Sequence, residues 1–299
     1  MKDRVGAVVV TYNRKELLKE NIECLLSQKP EVPDVIIVDN HSTDGTKEAI
    51  KEYLADKRVH YYDTGANLGG AGGFSYGIKT AAEGGYDYVW VMDDDCMPTE
   101  SALSELMKAD KDLRGNYGFL SSKVLWKDGN LCTMNMQRDT ITHTLESLDF
   151  GYKPVVMASF VSLFVPSKIV REIGLPIKEF FIWTDDWEYT RRISKRYPCY
   201  AVADSIVIHK SKSNIGANIA TEIADRLDRF DYLYRNDVYL YRREGVRGFC
   251  YETVRLIYHC IKVLAKSPDN RVKRIKKIVK GTCKGLSFNP DIEYTTDYE

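Results

Sequence analysis

Residues 89–95 read Val89-Trp90-Val91-Met92-Asp93-Asp94-Asp95, four apolar side chains running straight into three carboxylates. A short continuous apolar run without polar alternation marks a strand covered on both faces, as in a parallel sheet with helices on each side. Residues 5–10 and 35–38 have the same character, and residues 59–62 form a third strand before this one. Helical patterns separate them. In residues 16–27, Leu17, Leu18, Ile22, Leu25 and Leu26 recur at helical spacing; a second helix is expected to end near residue 54, and a third, after a glycine-rich turn, near residue 82. The alternation predicts an α/β fold with a central, mostly parallel sheet flanked by helices. Such sheets bind ligands beyond the carboxyl ends of their strands.

Those ends are polar or glycine-rich. The first strand runs into Thr11-Tyr12-Asn13-Arg14, the second into Asp39-Asn40, the third towards Asn67-Leu68-Gly69-Gly70-Ala71-Gly72-Gly73 and the fourth into the aspartate triplet. Alternate residues at a strand end point the same way, so Asp93 and Asp95 can converge on one divalent cation. Hard oxygen ligands suit Mg²⁺ or Mn²⁺; the bland alternative is a solvated acidic turn. Asp39 can accept from a ribose hydroxyl or a uracil imide, or it can simply cap the turn that follows. The glycine cluster can let backbone approach a phosphate, or it is a plain flexible loop. It is not a dinucleotide fingerprint, because Ser75 stands where the pattern counted from Gly70 needs glycine. Nor is it a P-loop, because Ile78 separates Gly77 from Lys79.

Past residue 150 the pattern predicts a strand over 155–165, a helix over 166–173, another over 186–196, and a strand over 200–208 that delivers His209. Helices without strands follow from about 222. Trp183-Thr184-Asp185-Asp186-Trp187-Glu188 is a second acidic site. Asp185 and Glu188 have the spacing of a capping-box-like pair, which leaves Asp186, beside an aromatic ring, as a candidate general base. His209 is either a third metal ligand or a structural histidine.

The 299 residues include 43 Lys+Arg and 43 Asp+Glu, so the formal charge is zero, and 44% are hydrophobic. This excludes a disordered, collagenous or disulfide-scaffold chain and argues against bulk adhesion to nucleic acid. The zero hides an asymmetry. Residues 242–286 carry 13 basic against 3 acidic side chains, a net of +10; residues 287–299 carry −4, and residues 1–241 carry −6. Seven scattered cysteines with no CxxC fit a reducing, cytoplasmic setting and no cysteine-built zinc site. The apolar N-terminal run is too short for a secretory signal, and no run approaches a membrane span.

The set Val8-Val9-Val10-Thr11-Tyr12-Asn13-Arg14, Val38-Asp39-Asn40 with Ser42-Thr43-Asp44-Gly45-Thr46, the aspartate triplet, and Trp183 to Glu188 followed by His209 resembles family 2 glycosyltransferases of the GT-A fold. The resemblance covers about residues 4–212. Asn67 to Phe74 is most similar to the galactofuranosyltransferase branch, though rhamnosyltransferases carry similar loops. It implies an inverting, metal-dependent hexosyltransferase moving galactofuranose from UDP-galactofuranose onto a glycan or lipid-linked acceptor, with dTDP-rhamnose or another hexosyl donor as the alternative. Thr11, Asn13, Arg14, Asp39, Asn67, Gly70 and Asp94 would meet the donor nucleotide. Asp93, Asp95 and His209 would hold Mn²⁺ or Mg²⁺, Asp186 would be the base, and Trp183, Asp185 and Glu188 would meet the acceptor.

Residues 1–221 are expected to form the transferase domain and 222–299 a basic helical region. In that region Ile275, Ile278 and Val279 recur at helical spacing among cations. Such a helix either docks reversibly on the anionic inner face of the cell membrane or packs on the acidic body. Two other classes share aspartate clusters at strand ends or the fold itself: metal-dependent phosphatases or nucleotidyl-transfer enzymes, and a catalytically silent nucleotide-sugar-binding scaffold.

Overall fold

The computed structural model describes residues 3–296; Asp297 and Glu299, two of the four acids of residues 287–299, lie outside them. In chain order the elements are β1 (Val5–Thr11), α1 (Lys15–Leu26), β2 (Asp34–Asp39), α2 (Thr46–Ala49), β3 (Val59–Asp63), α3 (Gly69–Glu83), β4 (Tyr88–Asp93), β5 (Cys96–Pro98), α4 (Ala102–Asp112) and β6 (Leu120–Trp126). Then come β7 (Tyr152–Pro154), β8 (Leu163–Pro166), α5 (Ser167–Ile173), α6 (Asp185–Ser194), β9 (Tyr200–His209), α7 (Phe230–Arg242), α8 (Gly245–Lys266) and α9 (Arg271–Ser287). One sheet holds every strand in the order β3-β2-β1-β4-β8-β6-β9-β5, with β7 also pairing β9.

The half from β3 to β4 is parallel, and beyond β4 the pairing turns largely antiparallel through β8. Strand alternation explains the unbroken apolar runs. Val8 and Val10 face Phe74 and Ile78 of α3, while Ala7 and Val9 face Leu18 and Ile22 of α1, so both sides of β1 are core. The register sets Thr11 beside Asp39, Asp39 beside Asp63, and Val10 beside Asp93. Four strand ends therefore reach the same edge, and this edge carries the chemistry.

Three expectations need correcting. Residues 46–54 form only a four-residue helix and a 3₁₀ turn at Tyr53–Ala55. The glycine cluster is not a loop but the first turn of α3. Gly69 has φ +73°, and a Cβ there would sit 2.1 Å from the Phe181 carbonyl oxygen; one at Gly73 would sit 2.7 Å from Val10 Cγ1. The glycines let α3 lie directly on β1 and on the segment before α6. Of residues 155–165 only the end is strand, because Ser159, Phe160 and Val161 leave the sheet to line a cleft.

The C-terminal helices pack on one another and on the sheet domain. Ile278 is buried and Ile275 partly buried against Phe230 and Tyr234 of α7. Lys277 bonds Asp228 (2.9 Å) and Asp231 (3.2 Å). Two of the three apolar residues expected to face a membrane are therefore used internally. No helix among the described residues is long and apolar enough to cross a membrane, and all seven cysteines are free.

Candidate active site

A cleft of about 620 Å³ opens beyond the parallel strand ends, lined among others by Arg14, Gly70, Asp93, Asp95, Asp186 and His209. Asp93 is the last residue of β4, and Asp94 and Asp95 form the turn into β5. β5 pairs with β9 so that Cys96 lies opposite His209, which brings His209 Nε2 to 3.1 Å from Asp95 Oδ1. His209 Nδ1 donates to Asn135 Oδ1 (2.8 Å), which leaves Nε2 as the nitrogen that faces Asp95 and would meet a cation. Arg14 Nη1 donates to Asp94 Oδ1 (3.2 Å) and Asp95 Oδ2 (2.7 Å), and Thr11 Oγ1 donates to Asp94 Oδ2 (2.8 Å).

The charges answer one another. Burial, reinforced by the charges of Asp95 and Asp94, pushes the Asp93 carboxyl up to about 8. Burial pushes Asp94 up to about 6 despite Arg14. Burial would lower His209, yet its bond to Asp95 carries it up to about 10, while the same bond and Arg14 hold Asp95 below the ordinary carboxylate range against its own burial. These carboxylates call for positive charge, and oxygen and imidazole donors suit Mn²⁺ or Mg²⁺. Among the described residues the donor atoms that lie together are those of Asp95, Cys96 and His209, without the expected Asp93, and burial pushes the Cys96 thiol far up.

The second acidic group is built differently. Phe181, Trp183 and Thr184 all have positive φ (64°, 66° and 68°), a sharp reversal that starts α6. Asn236 of α7, fully buried, holds it: its Nδ2 lies 3.0 Å from Phe180 O, 3.1 Å from Ile182 O and 2.9 Å from Trp183 O. Thr184 Oγ1 donates to Asp237 Oδ1 (2.6 Å), and Asp237 is paired in turn with Arg255 of α8. Asp186 then enters the cleft, one oxygen accepting from Trp187 N (2.7 Å). Burial, then the charge of Asp185, raises its carboxyl well above the ordinary range; burial raises Asp185 to about 6.

Arg14, Gly70, Asp93, Asp95, Trp183, Asp185, Asp186 and His209 all line this cleft. Thr11, Asp39 and Asp94 are buried at the strand ends beside it. Asp39 accepts from Tyr61 Oη (2.7 Å) and Ser42 N (2.8 Å), and Asn13 bonds Thr43 N and Ser42 Oγ, tying two strand-end loops together. Asn67 accepts from Gly69 N at the start of α3.

Glu188 is displaced from its expected place. It forms a two-pronged ion pair with Arg192 (3.0 and 2.9 Å) outside the cleft. The N-cap is Thr184, with no capping side chain, so the capping-box pair does not form. Sequence reasoning missed Asn135, Asn236, Asp237 and Arg255, and also Arg138, which lines the cleft over the Trp187 ring. Adjacent Asn236 and Asp237 inside a helix of aromatic residues were the available signal, since polar groups buried there need partners.

A parallel sheet half with an acidic edge, joined to a largely antiparallel half that supplies a histidine, is the layout of the GT-A fold. Residues 7–119 match the family model described as Glycosyl transferase family 2. Galactofuranosyltransferase GlfT1 of Mycolicibacterium smegmatis is 26% identical over 271 residues, covering 81% of this chain and 84% of its own. GlfT1 of Mycobacterium tuberculosis is 26% identical over 263 residues, 83% of this chain and 85% of its own. The mannosyltransferase PcManGT of Pyrobaculum calidifontis, solved with GDP-Man and Mn²⁺, superposes with a TM-score of 0.62 at 14% identity, covering 96% of this chain and 88% of its own.

Proposed function

We propose that this glycosyltransferase is metal-dependent and inverting, and moves galactofuranose from UDP-galactofuranose onto a hydroxyl of a glycan or lipid-linked acceptor. The observation that carries the chemistry is that the two acidic groups, built from distant parts of the chain, share one cleft. The GlfT1 relatives, aligned over most of both chains, support the donor sugar. Residues 1–221 are the transferase domain in this reading, and 222–299 the helical region that holds its acceptor side.

Asp93, Asp95 and His209 would hold Mn²⁺ or Mg²⁺, with Asn135 fixing the histidine tautomer. A divalent cation supplies charge to the departing diphosphate. Thr11, Asn13, Asp39 and Asp94 bound the nucleoside end, where each Asp39 oxygen keeps a further lone pair beside the bond it already accepts. Arg14, Asn67 and Gly70 complete the donor side. Trp183 and Asp185 border the acceptor. Asp186 takes the proton of the acceptor hydroxyl as that oxygen bonds to the anomeric carbon and the bond to the diphosphate breaks on the opposite face. Its desolvated carboxyl is a stronger base than an exposed one.

Transfer assays with UDP-galactofuranose, UDP-galactopyranose, UDP-glucose and dTDP-rhamnose, with Mn²⁺ and with EDTA, test this reading. Turnover confined to UDP-galactofuranose and abolished by EDTA is expected. Preference for dTDP-rhamnose, or full activity in EDTA, would overturn the donor or the metal assignment respectively.

A further inference from the structure

The longest helix, α8, presents apolar side chains outwards as well as inwards, where Val263, Leu256 and Cys260 pack with Phe230, Tyr234 and Ile278. Its inner face also carries polar groups: Glu252 and Arg255 pair at 2.7 Å, and Tyr251, Arg255 and His259 line the active-site cleft. Its outer face is apolar. Val254, Ile257, Ile261 and Leu264 recur three or four residues apart with Phe249 and Tyr258 beside them, and each is 56–67% exposed. Single exposed apolar residues are ordinary, but six along one stripe mark a binding surface.

Its surroundings say what covers it. The only acids of residues 242–286, Glu244, Glu252 and Asp269, are all engaged, by Arg191 and Lys195, by Arg255, and by Arg274. The same helix carries the exposed bases Arg247 and Lys266. A two-fold contact through α8 would set this positive surface against itself. An anionic lipid surface offers both an apolar layer and matching charge.

We infer that α8 lies in the plane of an anionic lipid monolayer, with its apolar stripe among the acyl chains and its cations Arg247 and Lys266 at the headgroups. The cleft then stands one helix diameter, about 10–12 Å, from the lipid. The inference deepens the reading of a lipid-linked acceptor and moves the membrane contact from α9, whose Ile275 and Ile278 are used internally, to α8.

The test is cosedimentation of the full chain, without donor or acceptor, with phosphatidylcholine vesicles containing or lacking phosphatidylglycerol. Wild type is expected to sediment with the anionic vesicles. The double variant Ile257→Glu/Ile261→Glu is expected to bind about 100-fold more weakly, since each buried apolar side chain contributes at least about a factor of ten. It should transfer sugar to a water-soluble acceptor at the wild-type rate, which shows that it is folded. Equal binding by both proteins, no binding by wild type, or a wild-type dimer that the variant splits without lipid would each overturn the inference. Sugar transfer to the soluble acceptor is scored separately, so failure of lipid binding leaves the transferase reading standing.

Discussion

Asp93-Asp94-Asp95 sits among cations at the edge of the sheet, whereas Asp185-Asp186 at the start of α6 has acids and apolar side chains for company. Arg14 reaches Asp94 and Asp95, and His209 lies 3.1 Å from Asp95, so both cations converge on that carboxylate. The charged neighbours that act on Asp186 are Asp185 and Asp93, both acids that raise it further. The contrast assigns opposite chemistry to two groups of the same residue type in one cleft. Asp95, with compensating charge, is held ionised and suits a cation; Asp186, left without it, is biased towards holding a proton, as is Asp93 until a cation meets it.

The largest expected effect breaks the base side alone. Asp186→Asn should lower turnover about 10²–10⁴-fold, measured with saturating donor and acceptor. On the cation side, Asn135→Ala frees the His209 ring and should weaken Mn²⁺ affinity about 10–100-fold, read from the Mn²⁺ dependence of the rate. The α7 clamp gives a smaller effect. Asn236→Ala removes the donor from three carbonyls, an expected cost of about 1–3 kcal/mol, or a fall of about 2–4 °C in Tm for each kcal/mol.

The smallest effect concerns pH. A carboxyl whose folded pKa is raised costs no stability below its unfolded value, near pH 4, and costs progressively more as pH rises towards its folded value. In EDTA, therefore, Asp186→Asn should match wild-type Tm at pH 4 and exceed it increasingly above that. Equal Tm values at every pH would remove the desolvation argument.

The donor side was the more legible because its information is local. Continuous apolar runs such as residues 5–10 give the strands, and a parallel sheet places Thr11, Asp39 and Asp93 at one edge whatever lies elsewhere. The acceptor side depends on contacts between distant segments. The turn at Phe181–Thr184 takes its shape from Asn236, more than 50 residues on, and no spacing rule links the two. Glu188 shows the same limit: its spacing from Asp185 fits a capping box, yet a bidentate pair with Arg192 one turn later claims it. The glycines of α3 were visible, but their purpose, close approach to the Phe181 backbone, was not. The face of α8 escaped notice because its apolar residues look like core until the structure shows them outside.

The division of labour between the two acidic groups is tested most directly by calorimetric titration of UDP with Mn²⁺ into Asp95→Asn and Asp186→Asn. The account predicts that Asp186→Asn binds UDP and Mn²⁺ like the wild type, while Asp95→Asn loses that binding. Loss of binding in Asp186→Asn, with Asp95→Asn unaffected, would contradict it.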